Sequence, residues 1–164
     1  MEIGPQSGLK GNAMKKKILG TNVVTQVGIL VHDIEKTAQA YADFLGLEKP
    51  PIIVTDELDK SQARYKGTPT KARAKLAFFK VGPTLDIELI QPDKEPSTWR
   101  EDLDRKGEGV HHLAFVIKGM KERIAELKES GIPLVQTGEY TGGRYAYMDA
   151  NKDLKVLIEL LEND

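Results

Sequence analysis

Apolar positions along this chain change period twice, in the same order each time. Val23–Val31 is an apolar, β-branched run that reads as a strand. In the next stretch, "HDIEKTAQAYADFLG", Ile34, Ala38, Tyr41 and Leu45 fall at helical spacing and Gly46 stops the helix. "PIIVT" predicts a further strand. The polar stretch Asp56–Arg73 has no apolar period and predicts a loop or lid. "AKLAFFKV" and "LDIELI" then read as two strands separated by a turn at Gly82-Pro83. Residues 21–93 therefore predict one β-α-β-β-β module.

Residues 94–108, "KEPSTWREDLDRKGE" with its neighbours, are polar and carry a Pro and a Gly, which predicts a linker. Trp99 inside it reads as a packing anchor between modules. The pattern then restarts over 109–164. "GVHHLAFVI" is the strand, and "KGMKERIAELKESG" is the helix, with Met120, Ile124 and Leu127 inward and Gly131 as its stop. "PLVQT", "RYAYMD" and "VLIELL" supply three more strands. "TQVGILVHDI" slides onto "HHLAFVIKGM" at a constant offset of 86, pairing Gln26 with His112 and Ile34 with Met120. A duplication of this length means two similar supersecondary units that bury their faces against each other. The fold class this predicts is α+β, two tandem βαβββ modules with antiparallel-rich curved sheets. Residues 1–20 carry no period and predict a flexible extension, with Met14 opening a shorter chain.

Polar side chains on faces that should be buried are the informative exceptions. Gln26 shares parity with Gly28 and Leu30, Glu88 sits among apolar neighbours in "LDIELIQP", His112 shares parity with Ala114 and Val116, and Glu159 lies between Ile158 and Leu160. Taken singly, each has an ordinary reading: an edge amide, a solvent-facing strand glutamate, a hydrogen-bonded core histidine. The repeat makes them pairs, Gln26 with His112 and Glu88 with Glu159, on the first and last strands of each module. Two carboxylates buried together are strongly unfavourable unless a cation neutralises them, and a divalent metal is the simplest cation. Strand alternation sends the adjacent His111 to the opposite face, and His32 with it, towards a surface or supporting role.

Composition narrows the functional classes. With 24 basic and 25 acidic residues the net charge is −1, so no global field favours nucleic acid or a membrane surface. Lys15–Lys17 is the one basic cluster and reads as a solvated tail. No apolar stretch approaches the roughly 20 residues needed to span a bilayer, and the N-terminus lacks the apolar core of a secretory signal. Without cysteine there is no disulfide, thiolate ligand or cysteine nucleophile. A cytoplasmic protein is the default expectation.

"VGILVHDIEKTAQAYADFLGL", "LDIELIQP", "GVHHLAFVIKGM" and "VLIELLE" together resemble the vicinal-oxygen-chelate superfamily, across roughly residues 20–162. That superfamily includes glyoxalase I, methylmalonyl-CoA epimerase, extradiol dioxygenases and bleomycin-resistance proteins. The resemblance implies the glyoxalase/bleomycin resistance fold: a cup-shaped, mostly antiparallel sheet with metal ligands on the first and last strands of each module. Gln26, Glu88, His112 and Glu159 occupy those positions and look like the Gln/Glu/His/Glu set of one glyoxalase I class, generally a zinc enzyme. The extradiol enzymes need two histidines and one carboxylate for iron, which this set does not offer. The glutathione contacts of glyoxalase I fall at Leu30 and Pro92 here, so glutathione itself is not implied. The base glutamate of methylmalonyl-CoA epimerase falls at Lys75.

The ligand set is oxygen-rich and suits one divalent ion, zinc first, with nickel, cobalt or manganese as alternatives. The expected chemistry is a glyoxalase-I-like lyase or isomerase reaction, proton transfer next to a carbonyl through an enediolate held on the metal. Glu159 is the leading base and Glu88 serves the opposite face. Two other readings stand beside it: an acyl-thioester epimerase, and a metal-free binding protein of the bleomycin-resistance kind. Lys71, Arg73 and Arg144 are candidate clamps for a carboxylate or phosphate on a small-molecule substrate. A homodimer is expected from the same resemblance.

Overall fold

A computed structural model describes residues 17–164. Strand β1 (Gln26–Leu30), helix α1 (Ile34–Leu45) and β2 (Ile53–Val54) lead into a short helix α2 (Leu58–Ser61) and two-residue strands β3 (Arg64–Tyr65) and β4 (Thr68–Pro69). Strands β5 (Ala74–Val81) and β6 (Leu85–Pro92) complete the first half, and α3 (Thr98–Lys106) connects it to the second. There β7 (Gly109–Val116), α4 (Met120–Glu129), β8 (Leu134–Tyr140), β9 (Gly143–Asp149), α5 (Asn151–Leu154) and β10 (Leu157–Asn163) follow. All strands join one mixed sheet in the order β2-β5-β6-β1-β7-β10-β9-β8-β3-β4.

The duplication shows in that order. β1 and β7 run antiparallel side by side at the centre, and each is flanked in parallel by the last strand of its own half, β6 or β10. Outward from there the pairings are antiparallel. The two βαβββ units are thus related about the β1–β7 seam, and the curved sheet encloses a cup.

Helices α1 and α4 close the convex side. Asp33 caps α1 by accepting a hydrogen bond from the Lys36 N–H, and Gly46 ends it at φ 66°, a left-handed conformation that glycine adopts without strain. Ile34, Ala38 and Ala42 pack on Ala77, Phe79 and Leu89 of β5 and β6. In the second half Met120 and Leu127 of α4 pack on Met148, Ile158 and Leu160, with Ile124 half-buried against the same cluster.

Three expectations need correction. The segment read as a linker contains a nine-residue helix, because Ser97 accepts from the Arg100 N–H as N-cap and an Arg100–Asp104 pair supports the exposed face. Its Trp99 and Leu103 are buried in a third cluster with Leu30, Ile90 and Tyr147. The polar segment 56–73 is a strap: it leaves β2 at one end of the sheet and pairs β3 with Gln136 and Thr137 of β8 at the other. Such two-residue pairings carry no periodic signal. Finally, residues 1–16 of the expected extension lie outside the described residues, while Leu19 packs on the second module and Arg123 donates to the Ile18 carbonyl at 2.8 Å.

Candidate metal centre

Glu88, His112 and Glu159 meet at the floor of the cup. Each offers a ligand atom, and these atoms all lie within 4.8 Å of one another. His112 Nε2 is 3.2 Å from Glu88 Oε2 and 3.0 Å from Glu159 Oε2. The three side chains come from three neighbouring strands: β6 and β7 flank β1, and β10 flanks β7. Gln26, on β1, lines the same cavity as Glu88 and Glu159.

Despite the short separations, Glu88 Oε2, His112 Nε2 and Glu159 Oε2 make no hydrogen bond of acceptable geometry, and all three are buried. Leaving such atoms unpaired inside a protein is costly. Adjacent donors on one cation with bonds of about 2.1 Å stand about 3 Å apart, which matches both separations. The residues therefore fit a divalent ion, held by Glu88, His112 and Glu159 with Gln26 beside them. In the metal-free protein His112 is itself the neutralising cation. Burial works to lower its pKa, but Glu159 and Glu88 outweigh burial and push it up to about 10. Burial raises the Glu88 carboxyl, against the pull of His112 and with the help of the Glu159 charge.

The placement of His112 depends on a missing side chain. Gly28 sits directly across from it on β1. A Cβ at Gly28 would lie 2.1 Å from His112 Cε1 and 2.3 Å from Nδ1, so the imidazole occupies the volume that any other residue would fill.

His111 is not where strand alternation sends it. Gly28 pairs with His112 but Ile29 pairs with Val110, so β7 carries one extra residue at His111. This β-bulge rotates His111 inward too. It is only 2% exposed, and its Nδ1 lies 2.9 Å from His112 Nδ1. One of these nitrogens donates and the other accepts, which leaves His112 Nε2 free for the centre. Burial, then the neighbouring His112, hold the His111 pKa well below the ordinary histidine range. Behind it, Asp102 of α3 approaches His111 Nε2 at 3.9 Å.

Above the centre opens a cavity of about 660 Å³. Its wall includes Ser61 from the strap, Trp99 from α3, and Tyr145 and Tyr147 from β9. None of the proposed clamps reaches it. Lys71 is exposed on the strap, Arg73 donates to the Thr55 carbonyl and faces Glu57, and Arg144 is held by Glu162 and Asp164. Carboxylate partners close by outcompete a distant ligand. On β5 the cavity-facing positions are Leu76, Phe78 and Lys80, while Lys75 is exposed with the opposite parity. No carboxylate on that strand faces the cup. His32 is exposed, away from the centre.

Sequence reasoning missed Asp102, Ser61, Tyr145 and Tyr147 as parts of the site, and gave His111 a surface or supporting role on the opposite face. The tyrosine pair had a signal: alternation in "RYAYMD" puts Tyr145 and Tyr147 on one face, opposite Ala146 and Met148. The bulge, α3 and the strap had none.

A buried Glu/His/Glu cluster at the floor of a duplicated βαβββ cup defines a class of protein before any comparison is made. The chain belongs to the Glyoxalase/Bleomycin resistance protein/Dioxygenase superfamily, whose family model matches residues 25–148. An uncharacterised Bacillus subtilis protein, YqjC, is 26% identical over 144 residues, 86% of this chain and 92% of that protein. A 2-epi-5-epi-valiolone epimerase from an Actinomyces species is 24% identical, covering 79% of this chain and 74% of its own. Among solved structures, methylmalonyl-CoA epimerase from Mycobacterium tuberculosis superimposes with a TM-score of 0.62 at 24% identity, over 93% of each chain. Among the described residues no helix is long and apolar enough to cross a membrane.

Proposed function

We propose that this chain is a metal-dependent isomerase or lyase that moves a proton next to a carbonyl group, on the pattern of glyoxalase I. The observation that carries the reading is the convergence of three buried, unpartnered ligand atoms from Glu88, His112 and Glu159 at the floor of an open cavity. A bound divalent cation supplies positive charge where negative charge develops on a substrate oxygen. Glu159 lines the cavity with one oxygen unpaired, and it accepts the proton from the carbon beside the carbonyl. Glu88 lies beyond His112 and also lines the cavity, so it is the group to return a proton from the other side. Gln26 orients the substrate or completes the ligand set without adding charge. Zinc as the cation and a homodimer as the assembly belong to the same reading.

Epimerisation is the second reading, and a specific feature favours it. Two carboxylates flank one imidazole, which suits removal of a proton from one face and its return to the same carbon from the other. The relative named as an epimerase agrees with this. The test is elemental analysis of protein purified without chelator, then proton–deuterium exchange on a panel of α-hydroxy carbonyl compounds and acyl thioesters. Stoichiometric divalent metal and exchange of the α-proton are expected. Metal-free protein that exchanges nothing after reloading overturns the reading in favour of a binding protein.

A further inference from the structure

The wall of the cup, above the ligands, carries information about the substrate that the ligands do not. Its charge is one-sided. Besides Glu88 and Glu159 the cavity is lined by Asp56, Asp86 and Glu139, against one cation, Lys80, among the described residues. The Lys80 ammonium lies 3.5 Å from Asp86 and is largely exposed to solvent, so it offsets only one of these charges. Even with a divalent ion balancing Glu88 and Glu159, the rim keeps excess negative charge, which opposes entry of a phosphate or carboxylate.

Its hydroxyl groups are equally one-sided. The Tyr145 oxygen accepts a hydrogen bond from Gln136 Nε2 at 3.1 Å, and the Tyr147 oxygen accepts from the Trp99 indole N–H at 3.0 Å. Neither phenolic hydrogen finds an acceptor among the described residues. A tyrosine hydroxyl keeps its proton at neutral pH, so both remain available as donors. Ser61 lines the same cavity and its buried Oγ has no hydrogen-bond partner. Hydroxyls of this kind on a cavity wall are free to donate to the polar groups of a ligand. Tyr145 is also built in: a Cβ at Gly138 would lie 2.4 Å from its ring, so that glycine makes room for it.

We propose, resting on the proton-transfer reading above, that the cup takes an uncharged polyhydroxy ketone or aldehyde rather than an anionic thioester. Its oxygens accept hydrogen bonds from Tyr145, Tyr147 and Ser61, and its own hydroxyls donate to the rim carboxylates. The strap carries Ser61, so the segment joining both ends of the sheet takes part in recognition.

Calorimetric titration of metal-loaded and metal-free protein with three probes tests this: a pentahydroxycyclohexanone, S-lactoylglutathione and propionyl-coenzyme A. The uncharged ketone is expected to bind at least tenfold more tightly than either anion. Tyr145→Phe and Ser61→Ala, both checked for folding by circular dichroism, should each weaken it about fivefold or more and leave the anions unchanged. Equal or tighter binding of an anionic probe, no binding of the ketone, or no effect of both substitutions overturns the proposal. Metal content, measured separately, isolates the two readings. Protein that binds the ketone but takes up no metal loses the proton-transfer reading and keeps this one; protein that takes up metal but prefers the anions does the reverse.

Discussion

The two halves of the molecule solve the same problems with different residues. On the first strand of one half stands Gln26, and on the first strand of the other His112. Across the β1–β7 seam Gln26 faces Ala114, while His112 faces Gly28. Gly28 and Ala114 are themselves equivalent positions in the repeat, so the larger ring is matched with the smaller partner. The helix starts differ in the same way. The backbone N–H of Ile34 in α1 donates to Gln91 Oε1 at 2.9 Å, and Gly119 and Met120 at the start of α4 donate to Glu162. Gln91 and Glu162 lie three residues beyond Glu88 and Glu159, so the last strand of each half caps its own helix. The first half adds the side chain of Asp33 and uses a neutral amide; the second has Gly119 at that position and uses a full carboxylate. A duplicated scaffold keeps its architecture while its polar residues diverge: each half gives one carboxylate to the centre, and the imidazole comes from the second half alone.

That asymmetry can be broken. Glu159→Gln removes the leading base and should lower α-proton exchange by about a thousandfold or more, with the fold intact. Glu88→Gln should cost less, and the ratio of the two measured rates ranks the carboxylates; full turnover by Glu159→Gln would remove it from the base role. Gly28→Ala drives a methyl group into the His112 ring. Metal affinity should fall at least a hundredfold, with about 1–3 kcal/mol of stability lost to overpacking, read by metal titration and thermal melting. Ala114→Ser, at the equivalent place, should leave metal affinity within a few-fold of the parent.

His111→Phe keeps an aromatic ring in the bulge but removes the partner of His112 Nδ1, and metal affinity should drop 10- to 100-fold. His111→Asn presents an oxygen near the Nδ1 position and should recover part of that loss. Equal affinities in all three proteins would make the bulge a packing feature only. Gln26→His would bring the halves closer to symmetry, but the larger ring needs the room that glycine provides opposite His112. Paired with Ala114→Gly it should raise metal affinity by about tenfold, and alone by less.

The helix caps give the smallest effects. Asp33→Ala should cost about 1 kcal/mol, measured by denaturant unfolding. Glu162→Gln should cost less than that at neutral pH and nothing at acid pH. The Gly119 N–H, then that of Met120, hold the Glu162 carboxyl below its ordinary value. Its contribution is therefore present above about pH 4.5 and disappears as the pH falls through the lowered value. A stability difference between Glu162→Gln and the parent that does not shrink on acidification would refute this cap.

Much of the architecture was legible before any coordinates. Apolar periods located α1, α4 and the seven described strands of five or more residues, and the offset between halves paired Gln26 with His112 before their strands were seen to be neighbours. The polar exceptions on those strands pointed to Glu88, His112 and Glu159, which the structure does bring together. Lys71, Arg73 and Arg144 show the opposite case. Basic residues in polar loops are ordinary, and only the positions of Glu57, Glu162 and Asp164 reveal that two of the three are already engaged.

Periodicity and duplication are local properties of a chain: they report which face each side chain turns to, because burial of apolar surface selects one face per element. Those patterns determined the two βαβββ units and the identity of the polar side chains inside them. The rest depended on contacts between residues far apart in the chain. A single extra residue in β7 turned His111 inward, a glycine on β1 vacated the space for its neighbour's ring, and the strap closed onto β8 through two residue pairs. Register and shape complementarity of that kind arise only when the strands assemble, and no stretch of sequence carries them alone.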